Sequence, residues 1–268
     1  MIKSGAKPTL YDRRDHDLLK TFGAALPPKF PDYYNVDNGL WTPNQNDGGE
    51  LFNLPPQPYG CTNFTTCDIS ADDDGVLYNP QVMEERTRAN ARGGLDIRVS
   101  LKEATKQGAL QDANGNIGPK RTGYFNIKTS GGLDFFDALR LSMLSTQSEG
   151  RSVSAGTPFY PDWMDINKKG ILPIPKDFNT EHISWHNWKI SGWKMINDQP
   201  YLICKMWLGK DYGDKGFVYM SRPLANSVFN IPGSVAFTVT KIDGLEIQTV
   251  DFKLVQWIVS FIKWTFGV

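Results

Sequence analysis

The stretch that decides the fold is residues 186–222, which begins with HNWKISGW (186–193) and continues, after a polar turn at residues 197–198, with YLICKMWLGKDYGDKGFVYMSR (201–222). Its runs are made of β-branched and aromatic residues, and a turn and several glycines interrupt them. This pattern predicts strands that reverse around a rigid site. His186 opens the first strand, and a histidine facing a cleft can act as a general base when a nucleophile is brought to it.

A candidate nucleophile lies upstream, in QPYGCTNF at residues 57–64. Residues 41–60 are rich in Asn, Gln, Asp, Gly and Pro, which predicts a loop, and a helix is expected to begin at Cys61 and run to about residue 69. A cysteine at a helix N-terminus benefits from the partial positive charge there, which favours the thiolate. The free backbone N–H groups of the same turn can bind an oxyanion.

Together, the two stretches resemble the papain-like cysteine peptidases, in which a glutamine and a glycine precede the nucleophilic cysteine at a helix start. In that family the histidine stands six residues before a glycine and an aromatic residue, and a Gly-x-x-Gly-aromatic run follows later. Here His186 stands six residues before Gly192, and GDKGF at residues 213–217 closes the block. The resemblance covers roughly residues 41–222.

The resemblance implies that Cys61 is the nucleophile, His186 the base, and Gln57 a side-chain donor to the oxyanion beside the backbone N–H of Cys61. Gln57 lies four residues before Cys61, whereas the family's glutamine usually lies six before. A register without a gap from Gln57 would put Asn63 at the nucleophile position, and the chain would then be no enzyme.

The family's third catalytic residue is an asparagine that accepts the ring N–H of the histidine, and it has no counterpart here. Counting back from Gly209, Met206 occupies its position, and a thioether is a weak acceptor. Two functions therefore stay open. One is a peptidase that hydrolyses peptide or amide bonds through a Cys-His dyad. The other is a catalytically weak or inactive papain-like scaffold that acts as a structural or binding protein, for example in a virion.

The fold class expected from the resemblance is α+β, with a helical lobe led by Cys61, a twisted antiparallel β-sheet lobe that carries His186, and a C-terminal amphipathic helix. We divide the chain into an N-terminal arm (1–40), a papain-like domain (41–222) and a C-terminal hairpin and amphipathic helix (223–268). Periodicity and capping signals predict the further elements. They are helices starting near residue 79, near residue 100 with Ser100 and Glu103 as a capping box, and at 134–146, and strands at 124–128 and 150–160.

Composition limits the function classes. The 268 residues carry 29 basic and 29 acidic side chains, so no overall field attracts nucleic acid, and nucleic-acid binding is not expected. Three cysteines cannot form a disulfide framework, which indicates folding in a reducing compartment. No signal peptide and no transmembrane span are predicted. The expected location is the host cytoplasm or a virion, since the chain is similar to papain-like proteins encoded in bacteriophage genomes.

The expected partner is a peptide or protein substrate, and the C-terminal helix predicts a second contact, with a protein assembly or a membrane surface. No cofactor is expected. His182 and His186 have the spacing of a helical zinc pair, but they lack the glutamate of that motif and lie in strand-like surroundings, so no metal site is predicted. The acidic run at residues 72–74 is expected to be a solvated turn.

Overall fold

The structure is a computed structural model, and it describes residues 7, 29–37, 39, 61–87, 95–129, 132–144, 152–178 and 184–239. Of the predicted C-terminal hairpin and amphipathic helix, residues 240–268 lie outside this part, and so do most residues of the N-terminal arm. The predicted division at residues 40 and 222 stays a prediction. On both sides of residue 222, however, the described chain contributes strands to one sheet.

Within the residues that the structure describes, seven strands form one antiparallel sheet. In chain order they are β1 (Tyr33–Asn35), β2 (Tyr124–Asn126), β3 (Val153–Phe159), β4 (Ser184–Ile196), β5 (Gln199–Lys205), β6 (Phe217–Ser221) and β7 (Val235–Val239). The spatial order is β2-β7-β3-β4-β5-β6, and β1 pairs with the end of β4. Strand β4 is central and the longest, so residues near its beginning lie in the middle of the sheet.

Five α-helices accompany the sheet in the described residues: α1 (Cys61–Asp74), α2 (Pro80–Thr87), α3 (Ile97–Ala104), α4 (Phe135–Leu144) and α5 (Arg222–Phe229). Helix α1 packs on β4, with α2 and α3 beside it, and these three form the helical layer. Helices α4 and α5 pack together on the opposite side, against the large hydrophobic core. No helix in the described part of the chain combines the length and apolar character that crossing a membrane requires.

The segment at residues 29–37 contributes strand β1 to the sheet and packs against β4. The Trp193 indole stacks on Tyr34 at a ring distance of 4.7 Å and donates a hydrogen bond to the carbonyl of Pro31. Gly192 permits this pairing, because a Cβ atom there would lie 1.9 Å from the carbonyl oxygen of Tyr34. Glycine is thus required where β1 approaches the β4 backbone.

Most predicted elements are confirmed. Helix α1 begins at Cys61 as expected but continues to Asp74, and the hairpin at residues 197–198 joins β4 to β5. Helix α3 differs, because it begins at Ile97 with Asp96 as its N-cap, and not at Ser100. The Ser100 hydroxyl instead donates to the Asn63 side chain at 2.7 Å, so a tertiary contact uses the side chain that the capping box would need.

Candidate active site

One face of helix α1 meets the sheet through four side chains at helical spacing: Cys61, Thr65, Asp68 and Asp72. Residues four, seven and eleven positions after Cys61 share its side of the helix. The Thr65 hydroxyl accepts a hydrogen bond of 3.1 Å from the Trp207 indole. Cys61 therefore stands at the end of a continuous polar stripe directed at strands β4 and β5.

The sulfur of Cys61 reaches the β4 backbone. Its Sγ accepts a hydrogen bond of 3.4 Å from the backbone N–H of Asn187, the residue after His186. Because that nitrogen is bonded to the carbonyl carbon of His186, standard bond lengths put Sγ within about 6 Å of the His186 Cα. Cys61 is 1% exposed and packs beside Phe64, Trp207 and Trp185.

The imidazole of His186 lies among aromatic rings. Its centroid is 5.5 Å from that of Phe159 and 5.9 Å from that of Trp188. His186 is 4% exposed, and burial lowers the pKa of its imidazole to about 4. Within the described chain its Nε2 has no hydrogen-bond partner. The imidazole is therefore neutral at pH 7, and one of its nitrogens is buried without a partner.

The alternation of β4 side chains sets how this imidazole faces Cys61. Trp188 belongs to the core that also contains α4, whereas Lys189 points to α1, where its ammonium meets Asp68. His186 shares the face of Trp188, because side chains two apart lie on one face of a strand. In the described residues no hydrogen bond joins His186 to Cys61. The contact of the sulfur is with the peptide group that follows His186, through the Asn187 N–H.

Met206 lies where counting from Gly209 puts the missing asparagine, on the His186 face. It is fully buried in the core that contains Trp188, and its neighbours Lys205 and Trp207 point the other way, toward α1. No amide acceptor is supplied at this position. The unpartnered Nε2 of His186 is consistent with that substitution.

The acidic run at residues 72–74 is not a solvated turn, and that prediction is wrong. The three residues form the last turn of α1, where Asp72 contacts Lys189, and Asp73 and Asp74 pair with the buried guanidinium of Arg121. The sequence pattern missed this because the cations come from distant segments. Unpaired carboxylates would not be stable in such a buried position.

One group of carboxylates among the described residues has the spacing of a metal site: Asp37, Asp68 and Asp72. The Lys189 ammonium lies 2.5, 3.0 and 2.6 Å from them, respectively, and Lys205 lies 3.1 Å from both Asp37 and Asp68. These carboxylates are therefore ion-paired with lysines. We name these five residues the charged cluster.

The other predicted site residues lie in different surroundings. Gln57 and His182 fall outside the described residues, and so does the loop before Cys61. Asn63, the alternative at the nucleophile position, donates to Glu84 at 2.6 Å and to Thr87 at 3.0 Å, so it links α1 to α2. Asn187 and Lys189 were not singled out from the sequence. The signal for both was the period of two along β4, which puts residues 187 and 189 together on the face opposite His186.

Comparison of the structure with solved structures gives consistent neighbours. Xylellain, a cysteine protease from Xylella fastidiosa, is similar with a TM-score of 0.63 and 14% identity over 90% of this chain and 96% of that one. A digestive procathepsin L2 from Tenebrio molitor larval midgut is similar with a TM-score of 0.62 and 15% identity, over 90% of this chain and 79% of that one. The proform of Amb a 11, a ragweed pollen cysteine protease, has a TM-score of 0.58 and 17% identity, over 81% of this chain and 67% of that one.

Sequence comparison finds no matching family model and no matching curated protein. The likeness therefore lies in three-dimensional structure: a helical layer led by a helix that starts at Cys61, packed on an antiparallel sheet with His186 at the beginning of its central strand. The neighbours cover most of the chain and all are papain-like cysteine proteases. The chain has the two-lobed α+β papain-like fold.

Proposed function

We propose that this chain is a papain-like cysteine peptidase in which Cys61 is the nucleophile and His186 the general base. The observation that carries the proposal is the 3.4 Å hydrogen bond from the Asn187 backbone N–H to the Cys61 sulfur. It brings a thiol at a helix N-terminus to the peptide group next to a histidine. The contact supports the proposal because the sulfur and the backbone next to the proposed base come from two different elements, and covalent catalysis requires a nucleophile and a base close together.

The reaction divides into acylation and hydrolysis. His186 takes the thiol proton, and the Cys61 thiolate attacks the peptide carbonyl carbon to form a tetrahedral oxyanion. The oxyanion collapses, the C–N bond breaks, and the imidazolium delivers its proton to the departing amine. Water, deprotonated by His186, then attacks the thioester and releases the carboxylic acid together with the free thiol.

Two features of α1 support the thiolate and the oxyanion. The positive end of the helix dipole lies at Cys61, and the Asn187 N–H already donates to the sulfur. The backbone N–H of Cys61, with the Gln57 side chain as an expected second donor, would bind the oxyanion. Because burial lowers the pKa of His186 to about 4, we expect its imidazole to be neutral at rest, which is the form that can accept the thiol proton.

A second candidate is the non-catalytic scaffold, and the surroundings of the imidazole favour it. His186 packs between Phe159 and Trp188, and its Nε2 finds no acceptor in the described chain. A histidine whose orientation depends on packing alone spends less time in the productive rotamer. In this alternative the chain would bind protein partners without cleaving them, in a virion or another assembly.

Digestion of casein and of a fluorogenic peptide library tests the proposal. Wild type is expected to cleave, Cys61→Ala to be inactive, and Cys204→Ala, a change at a buried strand cysteine, to retain activity. Trapping with an epoxysuccinyl inhibitor should add one inhibitor mass to the peptide that contains residue 61. Absence of both cleavage and trapping in folded wild type would support the scaffold. The bacteriophage setting, with a host-lysis, virion-associated or processing role, stays a prediction from the resemblance.

A further inference from the structure

The charged cluster joins four segments of the chain. Asp68 and Asp72 come from α1, Lys189 from β4 and Lys205 from β5, while Asp37 comes from the segment that follows β1. All five side chains are almost completely buried, and both lysines are inaccessible to solvent. Although burial by itself disfavours the ammonium, the three carboxylates raise the pKa of Lys189, so this side chain stays charged.

The position of the cluster relative to the sulfur is specific. Asp68 follows Cys61 by seven residues, which is two helical turns or about 10 Å along α1. Lys189 follows Asn187 by two residues, which is about 7 Å along β4 and on the same face of the strand. The contact from Cys61 to Asn187 and the ion pair from Asp68 to Lys189 therefore join the same helix to the same strand at two separate points.

Two contact points between α1 and β4 restrict motions of the helix that a single contact would permit. A helix held only at its first residue can rotate about its axis or slide along the strand, and either motion carries the sulfur away from residues 186 and 187. Apolar contacts tolerate small slides, because they are non-directional. A buried ammonium held by three carboxylates does not, because a displaced charge would lose its partners in a medium of low dielectric constant.

We propose that Lys189 is a positioning residue for Cys61, and that the charged cluster sets the register of α1 on β4 and thereby holds the thiol at the residue pair His186 and Asn187. The inference rests on the proposed function for its catalytic meaning. Its structural content is independent of turnover, because the hydrogen bond from Asn187 to the sulfur can be observed in the absence of a substrate.

The test uses Lys189→Met combined with Asp72→Asn. The double variant removes the ion pairs between Lys189 and α1 while leaving Asp37, Asp68 and Lys205, so the cluster keeps the wild-type excess of one negative charge. We expect amide hydrogen exchange at Asn187 to accelerate at least tenfold, with the neighbouring amide of Trp188, in the β3–β4 ladder, little changed. Iodoacetamide alkylation of Cys61 at pH 6 should slow at least tenfold.

The matched control is Arg121→Met combined with Asp74→Asn. It removes another buried ion pair of α1, one that links the helix to the segment after α3 and not to β4. This control should lower stability yet keep wild-type exchange at Asn187 and wild-type alkylation of Cys61. If the cluster variant fails to fold, Lys189→Arg is measured in its place, because it keeps the charge but changes the length of the link.

The result that overturns the inference is a folded cluster variant with wild-type exchange at Asn187 and wild-type alkylation, or an equal change at Asn187 in the control. The proposed function fails differently. If wild type neither cleaves peptides nor alkylates faster than an ordinary thiol, the peptidase is excluded. Exchange at Asn187 still decides in that case whether Lys189 positions the helix.

Discussion

Met206 and His186 lie on the same face of the sheet, and Met206 belongs to the core that contains Trp188, the indole next to the His186 ring. Met206 and Trp188 belong to one core, and the Trp188 indole meets the His186 ring at 5.9 Å. A side chain diagonally across an antiparallel pair is within reach of a long or aromatic partner. In the described chain the buried Nε2 of His186 has no hydrogen-bond partner, and a thioether at position 206 would accept one only weakly.

Met206→Asn should therefore raise catalytic efficiency. An amide oxygen can accept the ring N–H and hold the imidazole in one tautomer, and a gain of about 1.4 kcal/mol in transition-state stabilisation corresponds to a tenfold rise in kcat/KM. Steady-state hydrolysis of a fluorogenic peptide measures it. Met206→Leu is the control, because it offers no acceptor and should leave kcat/KM at or below the wild-type value.

Met206→Asn should also be coupled to His186 in the free energy of unfolding. A buried amide without a partner costs about 1–3 kcal/mol, so Met206→Asn should destabilise His186→Ala by more than it destabilises wild type. Urea unfolding of the four proteins in the double-mutant cycle gives the coupling. Additive free energies would mean that the amide and the imidazole do not meet.

Two groups should give stability opposite dependences on pH. Burial raises the pKa of Asp72 to about 6; nearby Asp68 adds to this effect and Lys189 opposes it. The folded state therefore binds a proton more readily than the unfolded state does, and stability falls as pH rises from about 4 to 6. Burial lowers the pKa of His186 to about 4, so its contribution is lost as pH falls from about 6.5 to 4.

Variants separate these dependences. Asp72→Asn should lose stability toward acid more steeply than wild type, because only the histidine effect remains between pH 4 and 6. His186→Gln should become more stable, relative to wild type, as pH falls through the same range. Urea unfolding at pH 4.5, 5.5 and 7 measures both slopes. Parallel curves for wild type and the two variants would contradict the assignment.

Gly192→Ala should separate β1 from β4. A methyl group there would overlap the carbonyl oxygen of Tyr34, and overpacking of this kind costs about 1–3 kcal/mol or more. The midpoint of urea unfolding should fall, and protection of the Val36 amide, which donates to Ser191, should be lost. Ser191→Ala is the neighbouring control: its buried hydroxyl has no partner in the described chain, so the change should be close to neutral.

The sequence was sufficient for the elements that carry Cys61 and His186. Cys61 after a glycine, the β-branched runs around residues 197–198 and the glycines near 213–216 all carry local signals, and α1, β4 and β5 appear where those signals put them. The charged cluster was not predictable in this way. Asp68 and Lys189 are 121 residues apart, and each alone has the pattern of an ordinary polar residue.

The orientation of the His186 side chain could not be predicted from the sequence either. A strand places alternate side chains on opposite faces, so a shift of one residue decides whether position 186 or 187 points to α1. Spacing to Gly192 singled out His186 as a candidate, but only the pairing of β4 with β3 fixes the face on which its side chain lies. The bulge between Ile190 and Gly192 then changes the alternation farther along, where Trp193 returns to the core.

The most direct measurement of the central claim is the pH dependence of Cys61 alkylation by iodoacetamide, followed on the peptide containing residue 61. Cys67 and Cys204 serve as internal references, since burial raises the pKa of both thiols. We predict rapid modification of Cys61 below pH 7 in wild type and a slowing of at least tenfold in His186→Ala. Equal rates in the two proteins, at the level of an ordinary thiol, would contradict the pairing of Cys61 with His186.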